Sequence, residues 1–175
     1  MKVVGIDVGY YNLGLVLAEC NNEKVNVLYV QKVDITNYKT PGATELSDMI
    51  NGFVTDYADT FEQADQVVIE RQPPGGTTSV EVLLHYIFRN KAILVSPLSM
   101  HKHFNIGHLD YEHRKERTEF IASKYLNDFN YYKKLERKHD VADALCLVIY
   151  QSFHNGIAFK KQGVRALFEE FAYVT

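Results

Sequence analysis

Cysteine is scarce in this sequence, and runs of apolar residues are short. The two cysteines, Cys20 and Cys146, lie far apart and lack the close spacing of metal ligands, so we expect reduced thiols. No stretch approaches the roughly 18 apolar residues that a membrane span requires. The first residues have the pattern of a strand and lack that of a secretory leader, which predicts a cytoplasmic location.

Internal repeats, low-complexity tracts and long linkers are also absent. The chain has 175 residues, and single domains usually contain roughly 100–200. Hydrophobic residues make up 46% and charged residues 23%, which is ordinary for a globular protein and excludes a disordered chain. We therefore expect one domain over residues 1–175.

The net charge is −3, but the charge is unevenly distributed. Residues 101–138 carry a charge of +3, which leaves −6 on the rest of the chain. Histidines and aromatic side chains are interspersed among the lysines and arginines of this segment. A basic, aromatic segment beside an acidic remainder is compatible with phosphate contacts near a metal site, although charge runs are more often a solvated surface.

The first half of the chain predicts a meander of strands and then a helix. Strands are expected at residues 3–9, 13–18 and 25–30, separated by short polar turns, which indicates antiparallel pairing. Apolar residues recur with a helical period over residues 44–61, where Thr44 is a possible N-cap.

The second half alternates strands and helices. A strand at 66–70 ends at the breaker Pro73-Pro74-Gly75-Gly76, and a helix at 78–88 and a strand at 92–95 follow, which implies parallel pairing. The remaining expectations are helices at about 112–127 and 139–153, a loop at 128–138 and an extra helix at about 160–173. The predicted fold class is α/β with a mixed sheet flanked by helices.

Four carboxylates lie at boundaries of the predicted apolar structure. Asp7 and Glu70 interrupt or end buried strands, where an uncompensated charge costs several kcal/mol. Asp140 and Asp143, three residues apart, project from one face of the last long helix. Each acid alone is more often a solvated or capping residue. Together, two strand acids and an Asp-x-x-Asp helix predict a site for two Mg²⁺ ions.

Three sequence blocks resemble the signature of the RuvC-like Holliday junction resolvases, and most of all their poxvirus members. They are Gly5-Ile6-Asp7-Val8-Gly9 with Asn12-Leu13-Gly14, then Val68-Ile69-Glu70-Arg71-Gln72, and His139-Asp140-Val141-Ala142-Asp143-Ala144. The resemblance implies an RNase H-like fold with a five-stranded sheet, in which Asp7, Glu70, Asp140 and Asp143 bind the metal. It also implies a homodimeric endonuclease that resolves four-way DNA junctions, such as viral recombination intermediates, with Mg²⁺ or Mn²⁺.

The same resemblance implies a lysine near the phosphate that is cut. Lys115 fits the family pattern best in the number of residues that separate it from Glu70 and from Asp140, and Lys102 is the second candidate. Such a cation would stabilise charge on the phosphoryl oxygens. The basic residues expected to contact the DNA backbone are Lys102, Arg114, Lys133, Lys134, Arg137 and Lys138.

Three other interpretations stay open at this stage. A sugar-kinase or actin-like domain would share the Asp-x-Gly strand but needs a second phosphate loop and a second lobe, and we expect no nucleotide cofactor. A non-catalytic nucleic-acid module would not keep four acids, because they would repel a phosphate backbone. Another nuclease of the RNase H superfamily, acting on RNA–DNA hybrids or RNA, would differ only in substrate.

Overall fold

The computed structural model describes residues 1–21 and 24–154, which contain a five-stranded mixed sheet. The strands are β1 (Lys2–Asp7), β2 (Leu13–Cys20), β3 (Val25–Val33), β4 (Gln66–Glu70) and β5 (Ala92–Val95). Their order is β3-β2-β1-β4-β5. The pairs β1–β2 and β2–β3 are antiparallel, whereas β1–β4 and β4–β5 are parallel. The predicted meander and the predicted parallel crossover are confirmed.

Seven helices lie within the described part of the chain. They are α1 (Leu46–Asp56), α2 (Ala58–Glu62), α3 (Thr78–Ile87), α4 (Pro97–His103), α5 (Tyr111–Leu126), α6 (Asn130–Lys134) and α7 (His139–His154). A short 3₁₀ turn (Ile35–Tyr38) follows β3. The helices predicted at 78–88, 112–127 and 139–153 are confirmed to within one residue at each end.

Two local predictions were wrong. The helix expected over 44–61 is divided at Tyr57 into α1 and α2, and the Tyr57 ring packs against Phe53 and Tyr29. The N-cap of α1 is Glu45 rather than Thr44. The backbone N–H of Glu45 donates to the Asp48 carboxylate at 3.4 Å, which stabilises that start. The predicted loop at 128–138 contains α6. The helix expected at 160–173 lies outside the described residues.

The sheet separates two apolar layers because successive side chains of a strand point to opposite faces. In β1, Val4 and Ile6 pack with Phe53 of α1, whereas Val3 packs with α7 on the opposite face. Cys20 and Cys146 are both buried and free, as expected. Within the described residues, no helix is both long and apolar enough to span a membrane.

Candidate active site

Asp7 and Glu70 lie at the carboxyl ends of two adjacent parallel strands. Ile6 of β1 is in register with Ile69 of β4, so the next residue of each strand is one of these acids. Ile6 and Ile69 pack on the face of α1 and α3, and alternation therefore directs Asp7 and Glu70 to the α7 face. The sheet register brings together two acids that are 63 residues apart in the sequence.

Two glycines allow α7 to approach this end of the sheet closely. A Cβ on Gly5 would lie 2.4 Å from the carbonyl oxygen of Ala144. A Cβ on Gly14, which pairs with Asp7 across β1 and β2, would lie 2.0 Å from the carbonyl oxygen of Asp140. The backbone of α7 occupies the space that side chains at these positions would fill. The first turn of α7, with Asp140, is thereby placed beside the end of β1.

The Asp7 carboxyl is partly buried next to other acids. Burial raises its pKa well above the ordinary value, and the neighbouring Glu70 and Asp143 raise it further. A hydrogen bond joins Asp7 to Glu70 and favours the proton on Asp7. Burial also raises the pKa of Glu70, while hydrogen bonds to Asp7 and Gln72 oppose that rise. The two carboxyls are close enough to share one proton.

Asp143 faces the same cluster from α7 and is held from a second helix. Burial raises its pKa to about 7, and the hydrogen bond with Thr118 opposes the rise. Thr118 lies on α5 and is buried. Glu70 and Asp140 are among the charges that raise the pKa of Asp143. Their mutual electrostatic effects indicate that all four predicted acids converge at this end of the sheet.

The Asp140 carboxylate contacts two residues that precede it, Arg137 and His139. The guanidinium of Arg137 donates two hydrogen bonds to the Asp140 carboxylate, at 3.2 and 3.3 Å. The ring of His139 has its Nε2 at 3.3 Å from Asp140 and its Nδ1 at 3.7 Å from Glu119 on α5. Burial lowers the pKa of His139, so the neutral ring is favoured. Arg137 and His139 were not predicted to contact an acid of the site.

These acids were predicted to bind two metal ions. Among residues 1–21 and 24–154, no three His, Cys, Asp or Glu side chains are arranged to hold one ion directly. The donor chemistry still fits a hard divalent cation, because Asp140 is buried and Asp7, Glu70 and Asp143 are partly buried carboxyls whose charged forms need compensation. The metal site stays a prediction that this clustering supports.

Gln72 connects Glu70 to the segment Pro73-Pro74-Gly75-Gly76, here called the Pro-Gly loop. The role of this loop could not be predicted from the sequence. Its amide Nε2 donates to the Glu70 carboxylate at 2.5 Å, and its Oε1 accepts from the backbone N–H of Thr77 at 3.2 Å. The backbone N–H of Gln72 donates to Glu81 of α3 at 2.6 Å. A Cβ on Gly76 would lie 3.1 Å from Gln72 Oε1, so a larger residue would crowd this amide. The loop therefore holds a hydrogen-bond donor against Glu70.

The two candidate lysines occupy different environments. Lys115, on α5, lies with its ammonium 4.0 Å from the centre of the Tyr111 ring, and its charge opposes the rise that burial causes in the pKa of Asp143. Lys102 is exposed in the last turn of α4. The structure thus places Lys115 within electrostatic reach of the acids, while its catalytic role remains a prediction.

The other basic residues predicted to contact DNA lie on α5, on α6 and just before α7. Lys133 and Lys134 are exposed on α6, and Lys138 is partly exposed; burial raises the pKa of Glu119, and the charge of Lys138 opposes that rise. Arg114 instead donates to the carbonyl oxygen of Leu109 at 2.5 Å and fastens the loop before α5. Arg137 is bound to Asp140, as described above. The DNA contacts of these five residues stay a prediction.

Comparison with solved structures identifies the fold. The fowlpox virus Holliday junction resolvase has a TM-score of 0.63 at 15% identity, covering 87% of this chain and 97% of that one. Thermus thermophilus RuvC has a TM-score of 0.62 at 20% identity, covering 90% and 96%. The yeast mitochondrial resolvase Ydc2 has a TM-score of 0.57 at 19% identity, covering 89% and 84%. The chain has the RNase H-like fold of these resolvases.

Sequence comparison gives the family. No curated protein sequence matches the chain at a significant level. The model of one protein family, described as Poxvirus A22 protein, matches residues 1–155, which include all four acids, Lys115 and Gln72. With this match and this fold, the chain belongs to the Poxvirus A22 protein family.

Proposed function

We propose that this protein is a Mg²⁺-dependent, structure-selective endonuclease that resolves four-way DNA junctions by paired strand cleavage. The observation that carries the proposal is the convergence of Asp7, Glu70, Asp140 and Asp143 at one end of the sheet, in a member of the Poxvirus A22 family. Two structural neighbours, from fowlpox virus and T. thermophilus, were solved as complexes with Holliday junction substrates. These complexes support branched DNA as the substrate.

The four acids would hold the metal. Mg²⁺, or Mn²⁺ in its place, supplies activation of a water molecule and stabilisation of the leaving oxygen when two ions are bound. Gln72 holds one Glu70 oxygen, which limits the orientations that this carboxylate can adopt. Thr118 does the same for Asp143. Arg137 neutralises Asp140, and a bound cation would have to compete with it.

Lys115 is proposed as the residue that contacts the scissile phosphate. Its ammonium is held over the Tyr111 ring and acts electrostatically on Asp143. A fixed positive charge stabilises the negative charge that develops on phosphoryl oxygens in the transition state. Arg114, Lys133, Lys134, Arg137 and Lys138, and Lys102 on α4, would contribute contacts to the DNA backbone.

A homodimer is part of the proposal, because a four-way junction has two equivalent strands to cut and residues 1–21 and 24–154 form one such acidic cluster. An apolar surface that a second copy could cover lies on α3. Val82 and Tyr86 are one helical turn apart and are 61% and 68% exposed. We propose this exposed apolar pair as part of the contact between two copies. The cytoplasm remains our proposed location, consistent with two free cysteines.

The experiment that tests this function compares substrates. The purified protein is incubated with a synthetic four-way junction, a linear duplex and an RNA–DNA hybrid, each with Mg²⁺ and with EDTA. We expect cleavage of the junction at paired positions, and only with Mg²⁺. Preferential cleavage of the hybrid would assign the protein to another branch of the RNase H superfamily, and cleavage in EDTA would remove the metal from the proposal.

A further inference from the structure

Lys32 lies in the same row across the sheet as the acids. Asp7 is in register with Gly14 on β2, and Gly14 is in register with Lys32 on β3. Neighbouring strands are about 4.8 Å apart, so the Cα atom of Lys32 is roughly 10 Å from that of Asp7. Residues paired directly across a sheet point to the same face. Lys32 therefore projects on the α7 side, at the end of the sheet that carries the acidic cluster.

The side chain and backbone of Lys32 are both held. Its ammonium donates to the side-chain oxygen of Asn12 at 3.0 Å, which directs it toward the turn between β1 and β2. Its backbone N–H donates to the hydroxyl oxygen of Tyr131 at 3.0 Å. Tyr131 belongs to α6, which also carries the exposed Lys133 and Lys134. One contact thus joins the end of β3 to the basic helix.

These contacts bring Lys32 beside the lysine-bearing helix α6, at the end of the sheet that carries the acids. Arg137 and Lys138 precede α7, whose first turn lies over Gly14, and Lys133 and Lys134 lie on the helix that is bonded to Lys32. We name the set Lys32, Lys133 and Lys134 the β3–α6 strip. Phosphates are spaced by about 3.4 Å per strand along the duplex axis. If one phosphate of a DNA strand lies at the acidic cluster, phosphates a few nucleotides farther along that strand would therefore reach the β3–α6 strip.

Resting on the nuclease function proposed above, we propose that Lys32 binds a backbone phosphate of the DNA substrate, and that the β3–α6 strip guides one arm of the junction over the β3 edge of the sheet. The sequence segment 101–138 would then not be the whole DNA-binding surface. A simpler role for a lysine on an edge strand is to prevent pairing with another sheet. At Lys32 the backbone N–H is already bonded to Tyr131, so that protection is not needed there.

The test measures junction affinity by fluorescence anisotropy in EDTA over a range of salt concentrations. The variants are Lys32→Gln, Lys32→Arg and the control Lys24→Gln. Lys24 is an exposed lysine just before β3, eight residues from Lys32 and so roughly 26 Å away along the strand, at the other end of the sheet. Thermal unfolding of each variant verifies that the fold is intact.

We expect Lys32→Gln to weaken binding and to reduce the slope of log affinity against log salt by about 0.9, the value for one lost phosphate contact. Lys32→Arg should keep the wild-type slope, as should Lys24→Gln. If the wild-type protein binds and cuts junctions but Lys32→Gln behaves like Lys24→Gln, this inference is overturned and the proposed function stands. If the wild-type protein has no affinity for branched DNA, the proposed function fails and the inference with it.

Discussion

The carbonyl oxygen of Asp140 lies 2.0 Å from the position that a Cβ on Gly14 would occupy. This approach fixes the first turn of α7 against the strand that pairs with Asp7. Gly14→Ala would push backbone against backbone, which no side-chain rotation can relieve. We expect a loss of about 1–3 kcal/mol in the free energy of unfolding, typical of overpacking, and a loss of junction cleavage as Asp140 moves from Asp7.

Gly107→Ala is the matched control for Gly14→Ala. The nearest atom to a Cβ on Gly107 is 3.9 Å away, which is ordinary contact. Urea unfolding and single-turnover cleavage of the two variants are measured side by side. We expect Gly107→Ala to change the free energy of unfolding by less than about 0.5 kcal/mol. Wild-type cleavage by a well-folded Gly14→Ala would show that the close packing of α7 does not position the site.

Asp143 should make the stability of the metal-free protein depend on pH. Its pKa rises from an ordinary 3.8 to about 7 on folding, so the folded protein binds more protons than the unfolded chain between these values. The corresponding stabilisation is complete below the lower value and is lost as the pH rises through the higher one. We expect the melting temperature in EDTA to fall between pH 4 and 7, and to fall less for Asp143→Asn. Equal slopes for both proteins would contradict this assignment.

Lys115 should act mainly on the rate of cleavage. We expect Lys115→Ala to lower the single-turnover rate at saturating protein by about a hundredfold, as for other transition-state charge donors, and to change junction affinity little. Mixed dimers with one Lys115→Ala subunit should leave nicked junctions. If Lys115→Ala instead weakens junction affinity and leaves the single-turnover rate at saturating protein unchanged, Lys115 contacts the DNA backbone. Lys102 would then be the candidate for the catalytic lysine.

Lys124→Ala is the control for Lys115→Ala. Lys124 lies on the same helix with its ammonium 5.0 Å from the centre of the Phe120 ring, a pairing of the same kind as that of Lys115 with Tyr111. We expect its cleavage rate to equal that of the wild type and Lys102→Ala to have a smaller effect than Lys115→Ala.

Gln72 should contribute to metal affinity through Glu70. Gln72→Met keeps the length of the side chain but removes the donor to Glu70 and the acceptor for Thr77. We expect the affinity for Mn²⁺, measured by calorimetry, to fall by about 10–100-fold, as for other residues that orient metal ligands. Gln63→Met, which alters an exposed glutamine bonded to Lys2, is the control. Unchanged Mn²⁺ affinity in Gln72→Met would limit Gln72 to a structural role in the loop.

The sequence predicted the sheet well, because alternation and breakers are local signals. All five strands and the long helices α5 and α7 lie within a few residues of the predicted positions. The helix break at Tyr57 could not be predicted, since it accompanies packing against Tyr29 on a strand far away in the sequence. The short helix α6 was obscured by its polar, lysine-rich composition.

The acids of the site were predictable, but their supporting contacts were not. Asp7 and Glu70 stand out as charges in apolar strands, whereas Thr118, Gln72 and Arg137 are ordinary polar residues in the sequence. Their roles depend on the three-dimensional approach of α5, the Pro-Gly loop and the start of α7. The Gly14 in the first signature block was a usable signal, because a glycine inside a strand often marks close backbone approach.

If the four converging carboxylates form one metal-dependent nuclease site, cleavage depends on the charge of each of them. The most direct test is the single-turnover cleavage of a four-way junction in Mg²⁺ by the wild type, Asp7→Asn and Asp140→Asn, with junction affinity measured in parallel. We predict that both variants lose cleavage and bind the junction as tightly as the wild type or more tightly, because each loses a negative charge that repels phosphate. Near-normal cleavage by either variant would show that the replaced carboxylate is not part of a metal-dependent nuclease site.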